Sequence, residues 1–131
     1  MPVAKPRVNA KLGAETVLVV DDEHALRSVL RIILEQEGFR VLEAEEGEQA
    51  LAMLSSGGEH IDLILLDRSM PRMSGDQLLS ALRERGMSQP VVLLTGHAGT
   101  ESDFGGVSAV VLKPPGSGEL IRTIRRVLDR V

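Results

Sequence analysis

The chain contains no cysteine, no tryptophan and no tyrosine, and Phe39 and Phe104 are its only aromatic residues. Without cysteine there is no disulfide framework and no thiolate metal site. With so few aromatics the core has to be aliphatic. Uninterrupted apolar runs stop after four or five residues, where a bilayer-spanning helix needs about 20. The opening stretch MPVAKPRVNAKLGAE has no apolar segment of the kind a secretory leader carries. A formal net charge of −4 is too mild to point to nucleic acid or a membrane surface. What these absences leave is the expectation of a soluble, cytoplasmic protein. Its 131 residues fit one domain and suffice to bury a core without staples. Hydrophobic residues at 43% against 26% charged give a globular balance rather than a disordered one.

Residues 1–15, with Pro2, Pro6, Lys5, Arg7 and Lys11 and little periodicity, read as a linker or disordered tail. The domain is expected over 16–131. TVLVV (16–20) is a short β-branched run, as in a strand buried on both faces. Leu26, Val29, Leu30, Ile33 and Leu34 then recur at helical spacing, and Gly38 sits where such a helix would end. FRVLEA (39–44) is the second strand and 45–56 the second helix, stopped by Gly57-Gly58. IDLILL (61–66) is the third strand. Ser74 and Gln77 have the spacing of a capping box, opening a helix that carries Leu78, Leu79 and Leu82 and ends at Gly86. VVLLT (91–95) and SAVVL (108–112) are the fourth and fifth strands. The last helix carries Leu120, Ile121, Ile124, Val127 and Leu128. Strand and helix alternate, which predicts an α/β fold with a parallel sheet covered on both faces and right-handed crossovers.

In such a sheet all strands end on one edge, where open α/β sheets bind ligands. The first strand is followed by Asp21 and Asp22, the third by Asp67, the fourth ends in Thr95, and the fifth is followed by Lys113 and Pro114. The second offers Glu43 near its end. Three ionised carboxylates at one edge repel one another and raise each other's pKa, unless a cation sits among them. A hard divalent ion held by oxygen ligands and water, Mg²⁺, suits that role. A phosphoryl group would complete the set, its charge met by the metal and Lys113 and one oxygen hydrogen-bonded by Thr95. A carboxylate can be the nucleophile that takes it, forming an acyl phosphate. Asp67, alone at the end of a central strand, is the candidate. Singly, Asp21 and Asp22 could equally be a helix N-cap, and Thr95 and Lys113 ordinary surface groups.

Together, VLVVDDE, DLILLDRSMPRMSG, VVLLTG and LKP resemble the receiver domain of two-component response regulators, over about residues 16–131. The resemblance implies a flavodoxin-like, doubly wound five-stranded parallel sheet of order 2-1-3-4-5, built as (βα)5. It implies that Asp67 accepts a phosphoryl group from the phosphohistidine of a histidine kinase or histidine phosphotransfer protein, in an Mg²⁺-dependent reaction that switches the domain's conformation. Asp22, Asp67 and the backbone carbonyl of Ser69 would bind Mg²⁺, with Asp21 acting through a water. Lys113 would pair with the phosphate and Thr95 would be the switch hydroxyl. The Lys113–Pro114 peptide is often cis in that family. Such a domain is not an enzyme on other substrates. It catalyses only its own phosphorylation and dephosphorylation, and neither nucleic acid nor membrane is expected as a direct partner.

The sequence departs from the family at three places. Val110 stands where well-studied receivers carry an aromatic residue, and Pro115 replaces the usual phenylalanine. The segment between Thr95 and Lys113 is short and glycine-rich, which predicts a shortened fourth helix of one or two turns around Thr100–Phe104. A phosphorylation-independent pseudo-receiver and an aspartate-nucleophile phosphohydrolase are the competing readings. The end of the sequence directly after the last helix suits the terminal receiver of a hybrid histidine kinase or a single-domain regulator. His24, His60 and His97 share no zinc-site spacing. His24 is expected in solvent, and His97 is a candidate for tuning water access to the phosphate. The acidic run 43–48 is expected to complement a helix dipole. Arg122, Arg125, Arg126 and Arg130 read as a solvated face.

Overall fold

Five short aliphatic strands form one parallel sheet, and the helices between them supply the faces that bury it. The computed structural model describes residues 14–96 and 106–130. In chain order these form β1 (Thr16–Val20), α1 (His24–Gln36), β2 (Arg40–Ala44), α2 (Gly47–Ser55), β3 (Leu63–Asp67), α3 (Gly75–Glu84), β4 (Val91–Thr95), β5 (Ala109–Leu112) and α4 (Ser117–Asp129). The sheet order is β2-β1-β3-β4-β5, and all four pairings are parallel. This is the doubly wound, flavodoxin-like arrangement. The shortened helix expected at Thr100–Phe104 and the residue His97 lie outside the described residues, so the C-terminal helix is α4 here.

Every residue of β1, β3 and β4 is buried, as two-sided cover requires. Alternate strand residues point to opposite faces. Val17, Val19, Leu63, Leu65, Val92 and Leu94 pack with Leu30 and Leu34 of α1 and Leu120, Ile124 and Val127 of α4. Leu18, Val20, Ile64, Leu66 and Leu93 pack with Ala50 of α2 and Leu78, Leu79 and Leu82 of α3. The chain leaves β1 towards one side of the sheet and returns past it to β3. With right-handed crossovers, that reversal sends α1 and α2 to opposite faces and opens a crevice at the β1/β3 strand ends.

The local signals hold at the helix ends. Ser74 Oγ accepts from the Gln77 amide at 3.2 Å while Gln77 Oε1 accepts from the Ser74 amide at 2.9 Å, the reciprocal capping box. Gly38 and Gly86 follow α1 and α3 with φ of 93° and 75°, a left-handed conformation that costs glycine little.

Two expectations need correction. Asp67 is the last residue of β3 rather than the first beyond it. The buried row of α1 is Arg27, Leu30 and Leu34, while Val29 is 51% exposed. An arginine has taken a core position because its charge is matched locally, as described below.

The two classes of residue should separate on truncation. Leu65→Ala, in the centre of β3 and fully buried, is expected to cost about 3 kcal/mol in urea unfolding. Val29→Ala should stay within about 0.5 kcal/mol of the parent.

Candidate functional site

Register alone brings the polar strand ends together. Val20 pairs with Leu66, Asp67 with Leu94, and Thr95 with Leu112. Asp21, Asp67, Thr95 and Lys113 therefore occupy one edge of the sheet, just after β1, at the ends of β3 and β4, and just after β5. Short backbone bonds fix them there. The Asp21 amide donates to the Ala44 carbonyl at 3.1 Å, the Arg68 amide to the Leu94 carbonyl at 3.0 Å, and the Lys113 amide to the Thr95 carbonyl at 2.9 Å. The turn after β3 closes with the Gly75 amide on the Arg68 carbonyl at 2.8 Å. A Cβ at Gly75 would stand 2.7 Å from the Asp67 carbonyl oxygen, so only glycine lets α3 start this close to the strand end.

Carboxylate oxygens of Asp21, Asp22 and Asp67 all lie within 4.8 Å of one another. Asp21 and Asp67 are buried and Asp22 is exposed. Lys113 Nζ donates to Asp67 Oδ1 at 3.0 Å and lies 3.9 Å from Asp21 Oδ2. The Ser69 amide donates to Asp67 Oδ1 at 3.2 Å, and the Glu23 amide to Asp21 Oδ1 at 2.8 Å. Among the described residues, the second oxygens, Asp21 Oδ2 and Asp67 Oδ2, are buried and accept no hydrogen bond. An unsatisfied buried acceptor costs about 1–3 kcal/mol, and more when charged. Two such oxygens beside a third carboxylate are the donor set of a hard cation. The residues present fit Mg²⁺. A cavity of about 470 Å³ opens over Asp67, Ser69, Thr95 and Lys113, with Arg68 and Asp76 at its rim.

Electrostatics record the crowding. Burial, then the neighbouring charges of Asp67 and Asp22, push Asp21 up to about 6, against the lowering effect of the Glu23 amide and Lys113. Partial burial pulls Lys113 down, but the hydrogen bond and charge of Asp67, with the charge of Asp21, more than offset it and its pKa is raised.

Thus the structure brings Asp21, Asp22, Asp67, Thr95 and Lys113 together, with Ser69 on the turn beside them. Glu43 does not join. It pairs with Arg27 at 3.0 Å and Arg31 at 2.6 Å, and the Arg31 hydrogen bond holds its carboxyl below the ordinary range despite partial burial. Glu46, the N-cap residue of α2, pairs with Arg72 at 3.2 Å, and of the acidic run Glu48 sits in the first turn of the helix. Val110 lies on β5 opposite Leu93, packed against the α2/α3 side of the core. The Lys113–Pro114 peptide is cis. Sequence reasoning missed Arg27, whose guanidinium reaches the Asp21 carbonyl at 2.7 Å.

A family model described as the response regulator receiver domain matches residues 17–125. The chain belongs to that family. It is 42% identical over 119 residues to the transcriptional regulatory protein CpxR of Escherichia coli K12, which covers 87% of this chain and 49% of CpxR. Among solved structures, the Vibrio cholerae chemotaxis protein CheY4 superposes with a TM-score of 0.80 at 29% identity, covering 88% of this chain and 99% of that one. The response regulator TrrA of Thermotoga maritima, solved in complex with Mg²⁺ and BeF, superposes with a TM-score of 0.77 at 32% identity, covering 86% of this chain and 98% of TrrA. The receiver spans about half the length of the CpxR relatives it matches.

The raised Asp21 gives a pH signature. Between its unfolded value near 3.8 and its folded value of about 6 the native state holds a proton that the unfolded chain releases. The stability this contributes is complete below about pH 4 and is lost as pH rises through 6. In chelator-treated protein Asp21→Asn should therefore gain roughly 1–3 kcal/mol over the parent at pH 7.5. The gap should close at pH 4, as read by urea unfolding.

Proposed function

We propose that this receiver, spanning 16–131, is a phosphoacceptor in a two-component phosphorelay, with Asp67 as the residue that is phosphorylated. The observation that carries the reading is the unequal treatment of the Asp67 carboxylate. One oxygen is held by Lys113 and the Ser69 amide, while the other is buried without a partner beside two further acids. A carboxylate so held is aimed and only partly neutralised, as a nucleophile must be.

The donor is a phosphohistidine on a histidine kinase or histidine phosphotransfer protein. An Asp67 oxygen forms the new O–P bond as the N–P bond breaks, and the imidazole leaves with the electron pair. The product is an acyl phosphate on Asp67. Lys113 stays within reach of the oxygens that gain charge, and Thr95, buried at the end of β4, offers its hydroxyl to a phosphoryl oxygen. Asp22, Asp67 and the Ser69 carbonyl would hold Mg²⁺ directly and Asp21 through a water. When bound, the ion supplies the positive charge that three carboxylates and a phosphoryl group require. The domain acts in the cytoplasm, contacts neither nucleic acid nor membrane directly, and turns over no substrate but its own aspartyl phosphate. No helix among the described residues is long and apolar enough to cross a membrane.

Val110 is the feature that favours the rival reading, a binding module that works without phosphate, because it gives the switch a smaller lever than an aromatic side chain. Incubation with Mg²⁺ and acetyl phosphate separates the two. Intact mass should show a single phosphoryl adduct that is lost in Asp67→Ala and suppressed by EDTA. A parent chain that stays unmodified, and forms no beryllofluoride complex by NMR, would be the binding module.

A further inference from the structure

Arg27 is the polar member of the buried row of α1, with 6% of its surface exposed. Each of its three guanidinium nitrogens has a partner. Nη1 donates to the Asp21 carbonyl at 2.7 Å, Nε donates to Glu43 Oε1 at 3.0 Å, and Nη2 lies 3.2 Å from His24 Nδ1. Glu43 is held in turn by Arg31 Nε at 2.6 Å, and Arg31 also binds Glu35 and the Val41 carbonyl. The carbonyl that Arg27 grips belongs to the peptide joining Asp21 to Asp22. Resting on the phosphoacceptor reading above, we infer that Arg27 is a positioning residue for the acid pair: it fixes the Asp21–Asp22 peptide between α1 and the end of β2, so that both carboxylates face Asp67.

The chemistry of the network distinguishes this from a packing role. A buried ion pair is a weak source of stability, and an apolar side chain of similar volume is often as good. Loss of Arg27 leaves Glu43 paired with Arg31 and partly exposed to solvent, so no naked buried charge remains. What is lost is the side-chain donor on the Asp21 carbonyl. Groups that orient metal ligands change affinity by about 10–100-fold when removed.

The test is a Mg²⁺ titration of the full chain by calorimetry or amide shifts, with Arg27→Met, Arg27→Lys and Glu43→Gln. Arg27→Met should unfold near the parental midpoint yet bind Mg²⁺ about tenfold more weakly. Arg27→Lys should recover part of the loss, and Glu43→Gln should weaken binding by a smaller factor. Without metal, the Glu23 amide, which donates to Asp21 Oδ1, should exchange faster in Arg27→Met. A folded Arg27→Met with parental affinity and parental exchange overturns the inference. Should Arg27→Met not fold, parental affinity in both other variants overturns it. A parent chain that takes up no Mg²⁺ overturns the phosphoacceptor reading instead. Exchange at Glu23 then decides the clamp alone, equal rates in parent and variant refuting it.

Discussion

Mutual repulsion among three carboxylates at the end of a buried sheet is the constraint around which this domain is arranged. Asp21, Asp22 and Asp67 are held within 4.8 Å by strand register, not by attraction for one another. Lys113 offsets part of their charge. The remainder is carried by the fold, whose aliphatic core against both faces of β1 and β3 outweighs the local cost. The raised Asp21, pushed up first by burial and then by the charges of Asp67 and Asp22, records that cost. Such strain persists only where the surroundings over-determine it, and here the surroundings are two fully buried strands and their backbone bonds to β2 and β4.

The same constraint explains why the supports around the site are so short. Gly75 lets α3 begin against the Asp67 carbonyl. The Glu23 and Ser69 amides reach back two residues to the Asp21 and Asp67 carboxylates. A second, separate ionic network of Arg27, Arg31, Glu35 and Glu43 lies between α1 and β2. It draws Glu43 away from the acid cluster and places a guanidinium on the Asp21 carbonyl. One end of the molecule thus keeps negative charge unbalanced, where a cation can use it, and balances the charges next to it.

Much of this was legible in the sequence because the strands are short and aliphatic, with β1, β3 and β4 buried along their whole length, so their ends can be read to within a residue or two. A residue at the carboxyl end of a strand in a parallel sheet lies at the ligand edge, which is why Asp67, Thr95 and Lys113 group together from the sequence. Ser74 and Gln77 were readable for the same local reason. Arg27 was not, because helical periodicity counts apolar residues, and a buried arginine scores as solvent-facing. Apolar spacing alone therefore runs the stripe through Val29, which is exposed. Glu43 was placed correctly at the edge, but its direction depends on two arginines 12 and 16 residues away, a pairing that no local pattern encodes. Val110 could be named as a departure, while its place beside Leu93 on the α2/α3 side of the core needed the sheet.

The acid cluster is electrostatically incomplete, and a divalent cation is proposed to complete it. The most direct measurement is the thermal unfolding midpoint at pH 7.5 with Mg²⁺, against the same ionic strength of NaCl. A ligand that binds only the native state stabilises by RT ln(1 + [L]/Kd). The midpoint is expected to climb several degrees and to keep climbing with log[Mg²⁺] once the site begins to fill. A midpoint that follows ionic strength alone, equal in the two salts, would contradict it.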